Sequence, residues 1–357
     1  MRTRRPTRGR ALGALVAASL ALLATGCADQ GGDTEPATGE DAMTLNVGQI
    51  SDSAAFFPLF VAEQQGYFED EGLTLGDRPR LGTGAKLAAA LQSDSIDIAA
   101  GVMTDAFNLY KTNDSARVIG ALVDAYYVDV IAGPTIDPAL DGAPLADKID
   151  ALKGRTIGIT GPGSGTEALV VYLLQQQGLS STEDATLVNL GADPSAAVGA
   201  LKAGRVDALS FFQPVGQQAV ATDVGRLFIS PARGDVPELE DALHGVVFTT
   251  QEVIDRKGDA VAAFLRAIAK AEEYIAGDAG ATQELLQDYQ GALNPDTVEA
   301  LVPVLQGEIP TDPTPTEDGY QVSADFHEKS GLVESPPAFA DIVPSDWVDE
   351  ALQGGGN

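Results

Sequence analysis

Segments typical of β-strands alternate with segments typical of helices, and this alternation constrains the fold more than any other feature of the chain. The first run begins with the alternating apolar pattern of residues 44–50 and extends to a strand pattern at 128–132. Residues 133–146 contain three prolines and break regular structure, after which the pattern restarts at 156–160 and continues to 227–229. Such alternation favours a mostly parallel sheet with helices on both faces, and the restart predicts two α/β lobes.

The last third of the chain contains one more strand pattern, at residues 246–249, followed by helical segments at 259–276 and from 282 onward. This late strand indicates that the chain returns to the first lobe. In folds of this kind, ligands bind in the crevice at the carboxyl ends of the strands. The predicted organisation is a first lobe over 43–132, a second lobe over 133–243, and a return to the first lobe with C-terminal helices over 244–357.

The N-terminal segment is typical of an exported protein. Five arginines fall within the first ten residues, and an apolar stretch follows over residues 11–24. That stretch is shorter than the roughly 20 residues that a membrane-spanning helix needs. It ends in Ala24-Thr25-Gly26-Cys27, which resembles a bacterial lipobox. The segment predicts a lipoprotein signal peptide over 1–26 and lipidation of Cys27; the alternative is an ordinary signal peptide with an incidental cysteine.

Cys27 is the only cysteine in the chain, so an intramolecular disulfide and a thiolate metal cluster are both excluded. Residues 28–42 are rich in Gly, Asp, Glu, Thr and Pro and lack periodicity, so 27–42 is predicted to be a flexible tether. A diacylglycerol on Cys27 would hold the protein on the extracytoplasmic face of the cell membrane. Lasting attachment requires more than one acyl chain, which such a group supplies.

Charge excludes one class of partner. The whole chain carries 22 basic and 52 acidic residues, a formal net charge of -30. Loss of the predicted signal peptide removes five arginines and brings the net charge near -35. Such a field repels nucleic acid, so we expect no nucleic-acid partner. The acids are scattered over the chain, which is typical of solubility or a saline habitat and does not by itself predict a cationic ligand.

Four segments together resemble one family of transport proteins. The first, residues 57–73, contains Pro-Leu-Phe-Val-Ala, Gly-Tyr-Phe and Glu-Gly-Leu. The others are residues 89–99 with Ile-Asp-Ile-Ala, residues 152–166 with Leu-Lys-Gly-Arg-Thr-Ile-Gly-Ile and Gly-Ser-Gly-Thr, and residues 200–208. They are similar to the substrate-binding proteins of nitrate/sulfonate/taurine-type (NMT1-like) ABC transporters.

The resemblance implies a type II periplasmic-binding-protein fold, in which two α/β lobes joined by two crossovers close over a small solute. It also implies delivery of that solute to a permease and its ATPase, a monomeric state, and no cofactor or metal. Closure about a hinge would let ligand binding shift an open-to-closed equilibrium, and the permease would recognise the closed form.

The segment Thr160–Thr166 is the strongest candidate for a ligand contact. It joins a predicted strand to a predicted helix, and glycines there let a backbone approach a ligand while helix N–H groups hold a polar or anionic head. The predicted binding residues of this turn are Gly163, Ser164, Gly165 and Thr166. The alternative is a tight turn in which Ser164 only caps its own helix.

Residues that follow other predicted strands are further candidates, because strand ends meet at the same cleft. These are Ser51, Phe56, Thr104, Tyr126, Phe212 and Gln213. Capping or core roles remain the alternatives for each of them. Lys86 is expected to be solvated, and no arginine stands in a motif that would grip a sulfonate with two hydrogen bonds. The solute class therefore stays open between sulfonate, nitrate and a neutral or aromatic, pyrimidine-like compound.

Two other function classes were weighed against transport. An enzyme needs a positioned acid, base or nucleophile, yet the chain has only two histidines, no His-Glu-x-x-His and no Gly-x-Ser-x-Gly. Pyrimidine synthases of similar fold carry a cysteine-rich motif that this chain lacks. A sensory lipoprotein that reuses the binding fold is the third alternative. The sequence thus predicts a binding protein without catalytic residues.

Overall fold

The protein is described from a computed structural model, whose described residues are 42–354. The predicted signal peptide, Cys27 and the tether up to residue 41 lie outside the described residues. Within residues 42–354, no helix is both long enough and apolar enough to cross a membrane.

Two mixed sheets form the centres of two lobes. The first-lobe strands are β1 (Thr44–Leu45), β2 (Val47–Gln49), β3 (Thr74–Leu75), β4 (Ile98–Val102), β5 (Ala116–Val123) and β11 (Gly245–Thr250). The second-lobe strands are β6 (Val128–Ala132), β7 (Thr156–Ile159), β8 (Thr186–Asn189), β9 (Ala208–Phe212) and β10 (Arg226–Ile229). The strand orders are β2-β4-β11-β5, with β1 and β3 paired separately, and β8-β7-β9-β6-β10.

The prediction of mostly parallel sheets is wrong for two strands. β2 pairs with β4, and β7 with β8 and β9, in parallel, as expected. β11 runs antiparallel to β4 and β5, and β6 runs antiparallel to β9 and β10. These are the two strands through which the chain enters each sheet from the other lobe. Apolar patterning marks a buried strand but not its direction, so the sequence could not reveal the reversal.

The first crossover lies earlier than predicted. Residues 128–132 were assigned to the first lobe, but as β6 they bond to β9 and β10 of the second sheet. The change of lobe therefore falls between Val123 and Val128. The proline-rich segment at 133–146 lies wholly within the second lobe, so a break in regular structure was mistaken for a lobe boundary.

Helices cover both sheets. The helices up to the second crossover are α1 (Phe57–Gln64), α2 (Tyr67–Asp70), α3 (Gly84–Gln92), α4 (Met103–Tyr110), α5 (Leu145–Asp150), α6 (Gly165–Gln176), α7 (Pro194–Lys202) and α8 (Val215–Ala221). After it come α9 (Gln251–Gly277), α10 (Ala279–Tyr289), α11 (Pro295–Glu308), α12 (Glu317–Ser330), α13 (Phe339–Ile342) and α14 (Ser345–Gln353). Side chains that accept backbone N–H groups begin several of them, among them Thr83 for α3 and Ser164 for α6.

The C-terminal helices do not serve the first lobe alone. α9 packs on α1 and α2 beside the first sheet, where Phe264 stacks on Phe68 with ring centroids 5.5 Å apart. α12, in contrast, packs on α6 of the second lobe, where Phe326 meets Tyr172 at 5.0 Å. Within residues 244–354, β11 and α9 thus lie on the first lobe, whereas α12 contacts α6 of the second lobe and also α4 of the first, through His327 and Thr104.

Candidate functional site

The ends of strands from both sheets enclose one cavity of about 400 Å³. Parallel strands bring their carboxyl ends to this edge: Val102 and Phe212 end β4 and β9, Ser51 and Thr160 come shortly after β2 and β7, and all four lie in the cavity wall. The antiparallel strands β6 and β11 bring their amino ends to it, so His244 directly before β11 also lines the wall. The volume lies within the range of about 300–1,000 Å³ typical of small-molecule sites.

The second-lobe wall is the turn before α6, where the hydroxyl groups bond to one another. The Ser164 hydroxyl donates to the Gly161 carbonyl at 2.6 Å and lies 2.8 Å from the Thr166 hydroxyl, which in turn accepts the Thr160 N–H at 2.9 Å. Ser164 also caps α6, so the capping role considered as an alternative is present. Its side chain nevertheless forms part of the cavity wall. Capping and solute contact are compatible here.

One N–H group of this turn already donates a hydrogen bond to an acidic side chain. Glu167 Oε2 accepts the Gly163 N–H at 2.6 Å, and Gly163 holds the left-handed backbone conformation with φ of 75°. A carboxylate at the start of a helix is favourable because the exposed N–H groups there carry positive potential. One N–H group of the turn is therefore already bonded to a carboxylate of the protein itself.

The first-lobe wall combines small polar groups with apolar side chains. Ser51 and Ser53 follow β2, and the Ser51 hydroxyl accepts the Ser53 N–H at 3.3 Å. Phe56 is fully buried yet contributes to the cavity wall, as Phe212 does on the second lobe. Each lobe thus supplies a hydroxyl group and an aromatic ring.

Asp105 is a wall residue that the sequence reasoning missed. It lies in the first turn of α4, is only 6% exposed, and accepts the Val102 N–H through Oδ2 at 3.1 Å. Burial raises the pKa of the Asp105 carboxyl from 3.8 to about 7, an effect that the Val102 hydrogen bond partly offsets. Gly84 and Gly101 flank the carboxylate, and a side chain at Gly84 would overlap it. An acidic residue shortly after the end of a predicted strand was the sequence signal that could have identified Asp105.

His244 is the second wall residue that was missed. Its ring packs against Tyr126 with centroids 4.0 Å apart and planes tilted by 31°, and its Nδ1 atom is buried without a hydrogen-bond partner among the described residues. Burial, with a contribution from His327, holds the pKa of His244 well below 6.5. The imidazole is therefore neutral near pH 7 and offers one N–H donor and one acceptor. Its position directly before a strand that crosses between lobes was the available signal.

The NMT1-like family model matches residues 38–288. The chain belongs to the NMT1-like family. The Bacillus subtilis (strain 168) protein YtlA, which carries the name of a binding protein, is 22% identical over 332 residues, which cover 87% of this chain and 91% of YtlA. The family resemblance drawn from the four sequence segments is thereby confirmed.

Solved structures support the same fold. A protein of Bordetella bronchiseptica RB50 is 23% identical with a TM-score of 0.74, and the match covers 88% of this chain and 98% of that protein. The ligand-binding component of an ABC-type import system from Staphylococcus aureus is 16% identical with a TM-score of 0.70, covering 87% and 99%. This NMT1-like chain has the periplasmic-binding-protein fold that its sequence predicted.

Seven of the ten residues predicted to bind solute line the cavity of this NMT1-like protein. They are Ser51, Phe56, Gly163, Ser164, Gly165, Thr166 and Phe212. Each follows or begins an element whose end was recognisable in the sequence. The structure brings them together from both lobes, and Asp105 and His244 add two ionisable side chains to the wall.

Three predicted residues do not line it. Thr104 is fully buried, and its hydroxyl lies 2.6 Å from His327 Nε2, because α4 begins at Met103 and already includes Thr104. Tyr126 lies behind His244 and donates to the Gly165 carbonyl at 2.6 Å, while its neighbour Tyr127 lines the cavity instead.

Gln213 fastens the lobes together and does not face the cavity. Its main-chain carbonyl accepts the Ser53 hydroxyl at 2.9 Å, so the two lobes are hydrogen-bonded to each other here. Its side-chain amide donates to Glu308 Oε1 at 3.0 Å. At the mouth, Asn108 of α4 donates to the Gly163 carbonyl at 3.4 Å. The cavity is therefore bridged between lobes on two sides.

Proposed function

We propose that this chain is the extracytoplasmic solute-binding component of an ABC importer. It captures one small solute between its lobes and delivers it to a permease and its ATPase. The observation that carries the proposal is the cavity of about 400 Å³, walled by strand-end loops of both lobes. A solute in this position contacts both lobes at once, so its binding energy favours the closed arrangement over the open one.

The relatives support an import role. The Staphylococcus aureus protein of the same fold is the ligand-binding component of an ABC-type import system. Family membership and nearly full coverage of the binding protein YtlA agree with that assignment. We extend it to this chain as a monomer that binds a sulfonate, nitrate or a pyrimidine-like compound.

Binding is favoured over catalysis by the bonding of the wall hydroxyls. A serine nucleophile needs a base within hydrogen-bond reach of its hydroxyl. The Ser164 hydroxyl instead donates to the Gly161 carbonyl, and its other hydroxyl neighbour is Thr166. The groups lining the cavity therefore hold a solute in place without an activated nucleophile among these hydroxyls.

The cellular location belongs to the same proposal. A lipid on Cys27 and a tether over 27–42 would place the binding lobes on the outer face of the cell membrane, within reach of a permease. Mass spectrometry of the native membrane-extracted protein tests this. The proposal expects an N-terminal diacylated cysteine, and an unmodified Cys27 in a mature chain would contradict it.

A thermal-shift screen of the purified protein tests solute binding, because a ligand that binds only the folded state raises the melting temperature. The screen covers sulfonates, nitrate, amino acids and pyrimidines. Ser164→Ala should reduce the shift given by a solute that binds wild type. Asn294→Ala is the matched control, since Asn294 likewise caps a helix, α11, but lies outside the cavity wall. A solute shift that survives Ser164→Ala, or that both variants lose equally, would contradict the assignment of this cleft.

A further inference from the structure

The cavity presents a carboxylate and lacks an opposing cation. The side chain of Asp105 is flanked by Gly84 and by Gly101, whose added side chain would come within 2.9 Å of Oδ2. Oδ2 accepts one backbone N–H, and Oδ1 has no hydrogen-bond partner among the described residues. Among the described residues that line the cavity there is no lysine or arginine. The free acceptor of Asp105 is thus built into the wall.

The second lobe likewise places a carboxylate, and no cation, near the cavity. Glu167 is bonded to the Gly163 N–H, so a carboxylate of the protein lies at the turn where an anionic head would be held. Lys86, the nearest basic residue of α3, is exposed and does not line the cavity. A buried anion is best held by a cation, and the described wall has neither lysine nor arginine; its donors are hydroxyl groups, the His244 ring and the N–H groups at the starts of α3 and α6.

His244 supplies a neutral polar contact. The ring is 1% exposed, is held against Tyr126, and forms part of the wall. Both His244 and Asp105 are more than nine-tenths buried, and the Nδ1 atom of His244 is buried without a partner among the described residues. Buried polar atoms are normally hydrogen-bonded, so a bound solute that bonds to them would satisfy an otherwise costly deficit.

We propose that the solute of this site is a small nitrogenous compound, uncharged or cationic, which presents an N–H donor to Asp105 and is not an anion. Its apolar body would lie between Phe56 and Phe212, with His244 and the Ser164 hydroxyl as further polar contacts. This rests on the proposed solute-binding function and narrows it to amines, amidines and amino-substituted heterocycles. It makes the site unlike a receptor for sulfonate or nitrate.

Matched probes that differ only in the head group test the inference by calorimetric titration of the whole protein. Benzamidine and benzenesulfonate share an aromatic body, and 4-aminopyrimidine and nitrate extend the comparison. Benzamidine or 4-aminopyrimidine should bind at least tenfold more tightly than benzenesulfonate or nitrate. Asp105→Asn should weaken that binding about tenfold or more, because a hydrogen bond to a charged acceptor is lost. Asp114→Asn, the same change at an exposed site outside the wall, should leave it unaltered.

Unfolding curves of each variant provide the check on folding. Asparagine can still accept the Val102 N–H and carries no buried charge, so Asp105→Asn should melt at or above the wild-type temperature. Tighter binding of benzenesulfonate or nitrate, binding of neither nitrogenous probe, or unchanged affinity in Asp105→Asn would each overturn the inference. If a neutral sugar or another solute without nitrogen bound in the cavity, the proposed import role would stand, but the inference that the solute donates an N–H group to Asp105 would be wrong. If no solute of any class bound, the proposed function itself would fail.

Discussion

Glu308, at the end of α11, carries a buried carboxyl whose ionisation should lower stability at neutral and basic pH. The residue is 7% exposed; Oε1 accepts from Gln213 and Oε2 has no partner among the described residues. Burial raises the pKa of Glu308 from 4.5 to about 7, partly offset by the Gln213 hydrogen bond. A carboxylate at a helix C-terminus is also unfavourable. We predict that Glu308→Gln stabilises the protein at pH 8.

The sign and size follow from proton linkage. Below pH 4.5 both the folded and unfolded states hold the proton, so Glu308 has no effect there. Between pH 4.5 and about 7 the unfolded state releases its proton first, and the folded wild type loses about 1.4 kcal/mol per pH unit. The loss is complete above pH 7 and amounts to about 3 kcal/mol. Glutamine cannot ionise and still accepts the Gln213 N–H, so it escapes this loss.

Urea unfolding at pH 5 and pH 8 measures the effect. The difference in unfolding free energy between Glu308→Gln and wild type should increase by about 2–3 kcal/mol from the lower to the higher pH. Glu299→Gln, on an exposed position of the same helix, should show no such increase. An equal difference at both pH values, or greater destabilisation of Glu308→Gln at pH 8, would refute the reasoning.

Three further predictions concern packing around the cavity. Gly84→Ala should lower the melting temperature and weaken solute binding, because the added methyl overlaps the Asp105 carboxylate. Gly199→Ala, in the open interior of α7, should instead raise stability by about 0.5–1 kcal/mol. A thermal melt in which Gly84→Ala melts above Gly199→Ala would contradict both. Thr104→Val should cost about 1–3 kcal/mol, since it leaves His327 Nε2 without its hydroxyl donor, while solute affinity by calorimetry stays unchanged; weakened affinity would restore Thr104 to the site. Gln213→Ala removes the side-chain hydrogen bond to Glu308 but keeps the main-chain carbonyl that accepts the Ser53 hydroxyl. The lobes should separate more readily, seen as a larger radius of gyration in X-ray scattering without solute, and an unaltered radius would argue against a role of this side chain in holding them together.

The sequence predicted the parts of the fold that depend on local pattern. Gly66 and Gly178, which follow α1 and α6, hold the left-handed conformation typical of helix ends, so a glycine in the sequence marks the end of each of these helices. The strand–turn–helix junction before α6 was also visible as a local pattern, and its residues line the cavity. Strand direction and lobe membership of β6 and β11 depend on long-range pairing, which no local pattern records.

The cavity-lining residues that the sequence did not predict also show that local pattern alone is insufficient. Thr104 and Asp105 are neighbours on α4, yet only Asp105 lines the cavity, because α4 begins at Met103 and its rotation sets which side chain faces inward. Tyr126 and Tyr127 likewise differ by one position in the crossover, and only Tyr127 lines the wall. An error of one residue in a boundary therefore exchanges a wall residue for a core residue. His244 directly precedes β11, and its place in the wall depends on the antiparallel entry of that strand.

A crystal structure of the protein with the solute that gives the largest thermal shift tests the central claim most directly. The claim is that a small solute is held between the two lobes, unaltered, by strand-end residues of both. Density for the intact solute should lie within 4 Å of Ser164 on one lobe and of Asp105 or Ser51 on the other. Solute bound outside this cavity, or density for a chemically converted product in it, would contradict the account.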